Sequence, residues 1–98
     1  MVFVRIGMFE ARADLGSDLL RIYESDAIPL VRAAPGNVGA FLLRQRDDPG
    51  RFMAITAWRS QADAEEYERS GLAARVVDTI RHTFAGPPRL ITFDGVGS

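Results

Sequence analysis

The eight residues Arg51-Phe-Met-Ala-Ile-Thr-Ala-Trp58 constrain the fold more than any other stretch of the chain. In an extended strand, Phe52, Ala54, Thr56 and Trp58 point to one side, and Met53, Ile55 and Ala57 to the other. Both sides are apolar, so both need a cover. Ser60 then stands where a helix N-cap belongs, with Asp63 three residues on as its capping-box partner. Strand gives way to helix within two residues.

The remaining elements follow from period and punctuation. Val2 to Phe9 reads as a strand with Val2, Val4, Ile6 and Met8 on one face and Phe3, Arg5, Gly7 and Phe9 on the other. A first helix is expected from an N-cap at Ser17, with Leu19, Leu20, Tyr23, Ala27, Leu30, Val31 and Ala34 at helical spacing. Pro29 removes one intrahelical hydrogen bond, which predicts a kink near 26–29. Pro35-Gly36-Asn37 ends that helix. Val38 to Arg46 is a second strand, and Asp47-Asp48-Pro49-Gly50 a turn in which Gly50 can supply a positive φ. The helix from Ser60 carries Ala64, Tyr67, Ala74, Val77 and Ile80 on one stripe, with Gly71 as a loosened turn close to the sheet. Gly86-Pro87-Pro88 stops it, and Arg89 to Val96 is a fourth strand.

Ninety-eight residues fit one domain spanning 1–98. A chain that is 47% apolar and 26% charged belongs with soluble globular proteins. No apolar run is long enough to span a bilayer and no signal-type core follows the N-terminus, so the default expectation is a cytoplasmic protein with no membrane partner. The absence of cysteine excludes disulfides, thiolate metal sites and cysteine nucleophiles. One histidine makes a redox-metal site improbable. A net charge of −1 gives no pull toward nucleic acid. All twelve basic residues are arginine, but they are scattered along the chain rather than clustered.

The order β-α-β-β-α-β predicts an α+β, ferredoxin-like domain with a four-stranded antiparallel sheet. Two helices cover one face only. Because the other face is also apolar, a homodimer with two sheets packed face to face is expected.

Ala57-Trp58-Arg59-Ser60, the Tyr67-x-x-Ser70 that follows, the Pro35-Gly36 helix exit and the closing Ile91-Thr92-Phe93-Asp94 together resemble the antibiotic biosynthesis monooxygenase family of dimeric α/β-barrel proteins. The resemblance implies a shared barrel, with a pocket between each sheet and its own helices. It also implies oxidation of polycyclic phenols to quinones by oxygen, with no metal, flavin or nicotinamide cofactor. Some members of that family cleave haem. Haem cleavage requires an Asn on the first strand and a Trp and a His on the second helix. Those positions fall here at Ile6 or Gly7, at Tyr67 and near Val77, so the axial ligand is missing and haem degradation is not expected.

Five side chains are candidates for a substrate pocket: Tyr23, Trp58, Tyr67, Arg5 and Arg44. Trp58 could wall a flat ligand or close the core where strand meets helix. Tyr23 and Tyr67 could aim hydroxyls into a cavity or pack as rings. Arg5 and Arg44 interrupt apolar strands, and each reads as a solvent-edge residue, a dimer ion pair or an anchor for a phenolate; Asp94 is similarly ambiguous. His82 is the obvious base by type, but its place near a helix end four residues after Asp78 points to a surface role. Asp63, Glu65, Glu66 and Glu68 read as a solvated helix start. No phosphate-binding glycine loop or Ser/His/Asp arrangement stands out. The reading with most support is therefore a cofactor-independent monooxygenase acting on an aromatic hydroxy compound. The alternatives are a non-catalytic small-molecule-binding or dimerisation module of the same fold and, last, an RNA-binding domain, which would need basic and aromatic residues that 51–58 does not supply.

Overall fold

The computed structural model describes residues 1–97. Strand β3 (Arg51–Trp58) is paired along both edges, with β1 (Val2–Glu10) on one side and β2 (Asn37–Arg44) on the other. β4 (Arg89–Gly95) adds to the free edge of β1, giving the order β2-β3-β1-β4 with every neighbour antiparallel. The register sets Phe3 opposite Trp58, Arg5 opposite Thr56, Gly7 opposite Ala54 and Phe9 opposite Phe52. The helices α1 (Gly16–Ile22), α2 (Ile28–Arg32), α3 (Gln61–Arg69) and α4 (Leu72–Ile80) complete an α+β ferredoxin-like domain. Among the described residues, no helix is long and apolar enough to cross a membrane.

The inward row of β3 alternates as its period demands: Phe52, Ala54, Thr56 and Trp58 are buried, and Met53, Ile55 and Ala57 are half-buried. Phe41, Leu43 and Phe93 share the outer face with that second set and are 60%, 45% and 47% exposed. The helices leave this apolar face open.

The first helical segment departs from a simple kink. Between α1 and α2 lies a π-helical turn, Tyr23–Ala27, in which the Ile28 amide reaches back to the Tyr23 carbonyl. Leu19, Tyr23, Ala27 and Val31 recur every fourth residue, and all are essentially inaccessible. On an unbroken 3.6-residue helix such a repeat would drift round the cylinder. The wider π turn resets the phase and keeps all four inward. Pro29, which has no amide proton to give, lies in the first turn of α2, where none is needed. Helix α1 starts at Gly16 and takes no side-chain cap, so Ser17 does not cap it as expected.

The second helical segment is two helices. Gly71 takes φ of 89° and precedes α4, and a methyl group placed on it would meet nothing within 4 Å. It is exposed, so backbone conformation rather than a close approach to the sheet requires glycine there. The break rotates α4, so Val76 and Ile80 go to the core, Val77 is half-buried and Ala74 is exposed. At α3 only half of the expected capping box forms. Ser60 Oγ accepts the Asp63 amide at 3.1 Å, while the Asp63 carboxylate packs against Gly36. The β2–β3 turn closes through the Arg51 amide to the Asp48 carbonyl at 2.9 Å, without positive φ at Gly50. A type I turn needs none.

Gly36 and Gly71 separate two costs. Both have positive φ, but a Cβ at Gly36 would collide with Asp63. Urea unfolding should find Gly71→Ala destabilised by about 1–2 kcal/mol, the cost of a left-handed L-residue. Gly36→Ala should lose at least about 1 kcal/mol more through overpacking.

Candidate active site

The hollow of the domain comes from small side chains. Gly7 and Ala54 are opposite each other across β1 and β3, with the Phe9 ring beside Gly7, and Ala73 and Ala74 of α4 line the same space. With Phe9 on one side and Thr56 on the other, the space between sheet and helices stays open as a cavity of about 460 Å³. That lies within the roughly 300–1,000 Å³ typical of small-molecule sites. Val76, Val77 and Ile80 supply an apolar wall, and Arg81, Pro88, Arg89 and Leu90 form the rim.

Three of the five candidate pocket residues line this cavity: Arg5, Tyr23 and Tyr67. The ring of each tyrosine is buried. Neither hydroxyl is hydrogen-bonded to another described residue, yet no fully enclosed side-chain polar atom lacks a partner. Each phenol oxygen is therefore reached through the cavity. Burial raises the pKa of both, and the neighbouring Tyr67 adds to the effect at Tyr23. Tyr67 is pushed up to about 12 by burial, and the Arg5 guanidinium opposes the rise. Both are neutral donors at physiological pH.

Arg5 is held rather than free. Its side chain is 12% exposed, its Nη1 donates to Glu68 Oε2 at 2.8 Å, and its guanidinium lies 5.6 Å from the centre of the Tyr67 ring. Glu68 stays largely solvent-exposed, as expected for this acidic stretch, and also lines the cavity through its pair with Arg5.

The other two candidates lie elsewhere. Trp58 is fully buried behind Tyr67, with ring centres 4.6 Å apart, and is not among the lining residues. Its indole N–H donates to Thr56 Oγ1 at 2.9 Å. Arg44 sits at the hairpin end of the sheet, donating from Nε to the Pro49 carbonyl at 2.7 Å and covering Phe52. Gly16 packs so closely on that guanidinium that a methyl there would come within 2.6 Å of it. Arg44 ties the hairpin to the start of α1. His82 is exposed in the 3₁₀ turn Arg81–Thr83, and Asp78 pairs with Arg81 rather than with His82. Asp94 is exposed on β4. No three His, Cys, Asp or Glu side chains gather as a metal site would require among the described residues.

The polar lining residues Thr56, Glu68, Arg81 and Arg89 were not among the candidate pocket residues. Thr56 did carry a signal, as the one polar side chain in the inward row of β3. Glu68 carried none, because its partner is 63 residues away.

One sheet face packed under helices, with a hollow lined by two tyrosines and a threonine between the layers, defines a ferredoxin-like α+β domain. The family described as antibiotic biosynthesis monooxygenase matches residues 2–79, and the chain belongs to it. Solved structures share the fold. Rv0793 from Mycobacterium tuberculosis is 18% identical, with a TM-score of 0.79 over 100% of this chain and 98% of that one. A protein of unknown function from Nitrosomonas europaea, NE2512, is 20% identical, with a TM-score of 0.82 over 99% and 91%. A variant of SnoaB, a cofactor-independent oxygenase from Streptomyces nogalater, is 14% identical, with a TM-score of 0.81 over 99% and 95%. No curated protein matches the chain.

The raised tyrosine pKa predicts an alkaline limit to stability. Above the ordinary value of 10.0 the unfolded chain loses the Tyr67 proton while the folded chain retains it up to about 12. The unfolded state then binds fewer protons, so stability falls as pH rises through this window. Urea unfolding should show a lower free energy at pH 11 than at pH 9, and Tyr67→Phe should flatten the slope. An equal slope in that variant would remove Tyr67 from the explanation.

Proposed function

We propose that the protein is a cofactor-independent monooxygenase that oxidises an aromatic hydroxy compound, of the phenol or quinone-precursor type, in the cavity between sheet and helices. One observation carries this: two tyrosines with buried rings and unpartnered hydroxyls, and an arginine whose side chain is 12% exposed, line one largely apolar hollow. Family membership supports it.

An electron-rich ligand such as a hydroxyanthrone would lie against Val76, Val77 and Ile80. Its oxygen would accept hydrogen bonds from Tyr23 or Tyr67, and Arg5 would favour the anion by its charge. The ionised ring passes one electron to oxygen, and the resulting radical pair combines as a carbon-bound peroxide. Loss of water leaves a carbonyl where a CH₂ stood. Two C–H bonds are broken, one oxygen atom is retained and the other departs as water, so oxygen takes up all four electrons. The protein's part is to hold the anion in a dry, preorganised setting, which needs no strong base. Trp58 and Arg44 act in this reading as supports, one behind Tyr67 and the other at the hairpin. The lack of a histidine or free carboxylate on the cavity wall favours, as the second reading, a ligand-binding module without turnover. Thermal stabilisation by hydroxyanthrones without oxygen consumption would select it.

The open sheet face belongs to the same proposal. A second copy packed on Phe41, Leu43 and Phe93 would form a cytoplasmic homodimer with a shared barrel. Sedimentation at micromolar concentration should give a dimer, and Phe41→Glu should shift it to monomer. A wild-type monomer sinks the dimer.

Oxygen-electrode measurements with hydroxyanthrones and naphthols test the chemistry. Turnover should appear without added cofactor. Tyr67→Phe should lower kcat/KM by about tenfold or more, the value of one hydrogen bond to a charged oxygen. No uptake with any of these compounds would overturn the reaction.

A further inference from the structure

The Trp58–Thr56 contact determines where a proton points. An indole N–H can only donate, so in this pair Thr56 Oγ1 is the acceptor, at 2.9 Å and out of solvent. A hydroxyl has one proton, and that proton cannot lie along the line already occupied by the indole hydrogen. No hydrogen bond from Thr56 to another described residue accompanies this one. The cross-strand neighbours offer it nothing, since Arg5 is a cation without acceptor atoms and Ala40 is apolar. Thr56 lines the cavity and Trp58 does not. The residue that lines the hollow is thus the one whose O–H has no protein acceptor, and accepting the indole hydrogen makes that O–H a stronger donor.

We propose that Thr56 is a specificity-determining binding residue, whose hydroxyl donates to an oxygen of the bound ligand, with Trp58 as the positioning residue that orients it. The proposal rests on the reading of the cavity as a site for phenolic compounds, and it specifies where the ligand oxygen lies. A phenolate or carbonyl oxygen sits against the middle of β3, and an aromatic hydrocarbon of the same shape leaves the Thr56 donor unanswered. Discrimination by unpaired polar groups is stronger than discrimination by shape alone.

The probe is 4-nitrophenol, whose anion absorbs in the visible, so the ionisation of the bound molecule is read directly. Titrations would compare the wild type with Thr56→Ser, Thr56→Val, Trp58→Phe and the double variant Thr56→Val/Trp58→Phe, with naphthalene as the control ligand. Thr56→Val alone strands the buried indole N–H and risks the fold. The double variant removes both partners and avoids that penalty.

The apparent pKa of bound 4-nitrophenol should be about one unit lower in the wild type and Thr56→Ser than in the double variant, with Trp58→Phe between them. Naphthalene affinity should be the same wherever the melting curve shows a folded protein. Equal pKa values in the wild type and the double variant overturn the proposal, as does failure of the wild type to bind 4-nitrophenol. Oxygen uptake measured alongside keeps the two readings apart. A Thr56-dependent pKa shift without turnover defeats the oxidation and leaves the donor standing. Turnover with no Thr56 dependence does the reverse.

Discussion

The structure depends on a contrast of size along one face of a central strand. Phe52 and Trp58 are large, buried and 18–20 Å apart by strand geometry, about six residues at roughly 3.3 Å each. Between them stand Ala54 and Thr56, with Gly7 across from Ala54. Helices that pack on such a face rest on its bulky ends and bridge the shallow middle. Close packing elsewhere in the core raises the cost of collapsing that space, so the hollow persists as part of the fold. The π-helical turn serves the same end by holding Tyr23 inward from the opposite layer.

Electrostatics in the hollow set two neutral phenols beside charged lining residues, Arg5, Glu68, Arg81 and Arg89. Tyr23 and Tyr67 remain protonated because burial disfavours their anions. Arg5 is a charged side chain rooted in β1, and Glu68 together with the Tyr67 ring fixes its orientation. An oriented cation beside an apolar wall acts strongly on an anion that displaces the water around it. Hydroxyl-bearing residues fixed in the lining need little reorganisation when charge develops. Preorganisation of this kind is compatible with a site that has no histidine.

Much of the fold was legible in period and punctuation. Alternation placed Phe52, Ala54, Thr56 and Trp58 inward, and the caps and turns delimited four strands and two helical regions in their observed order. Errors arose where the backbone left its ideal period. A four-residue repeat from Leu19 to Val31 reads as an ordinary helical stripe, and only the π turn explains why all four residues are buried. Gly71 marked an interruption correctly but for another reason, because a positive φ turns α4 to a new phase and exchanges Ala74 for Val76 in the core. Arg5 and Arg44 look alike in sequence, each an arginine in an apolar strand. They diverge because one meets Glu68 and a tyrosine ring and the other meets a turn carbonyl.

The sequence by itself determined the element order, the two-faced apolar sheet and the set of chemistries that an absence of cysteine rules out, since these depend on local period and residue type. It also placed the chain near its family through short motifs around Trp58 and Tyr67. Only the tertiary structure decided which polar groups share a space. It put Thr56, Tyr23, Tyr67 and the Arg5–Glu68 pair on one cavity and sent Trp58 behind it and Arg44 to the far end. Such convergence is set by strand register and by the phase of helices packed from distant parts of the chain, and neither is a property of any one segment.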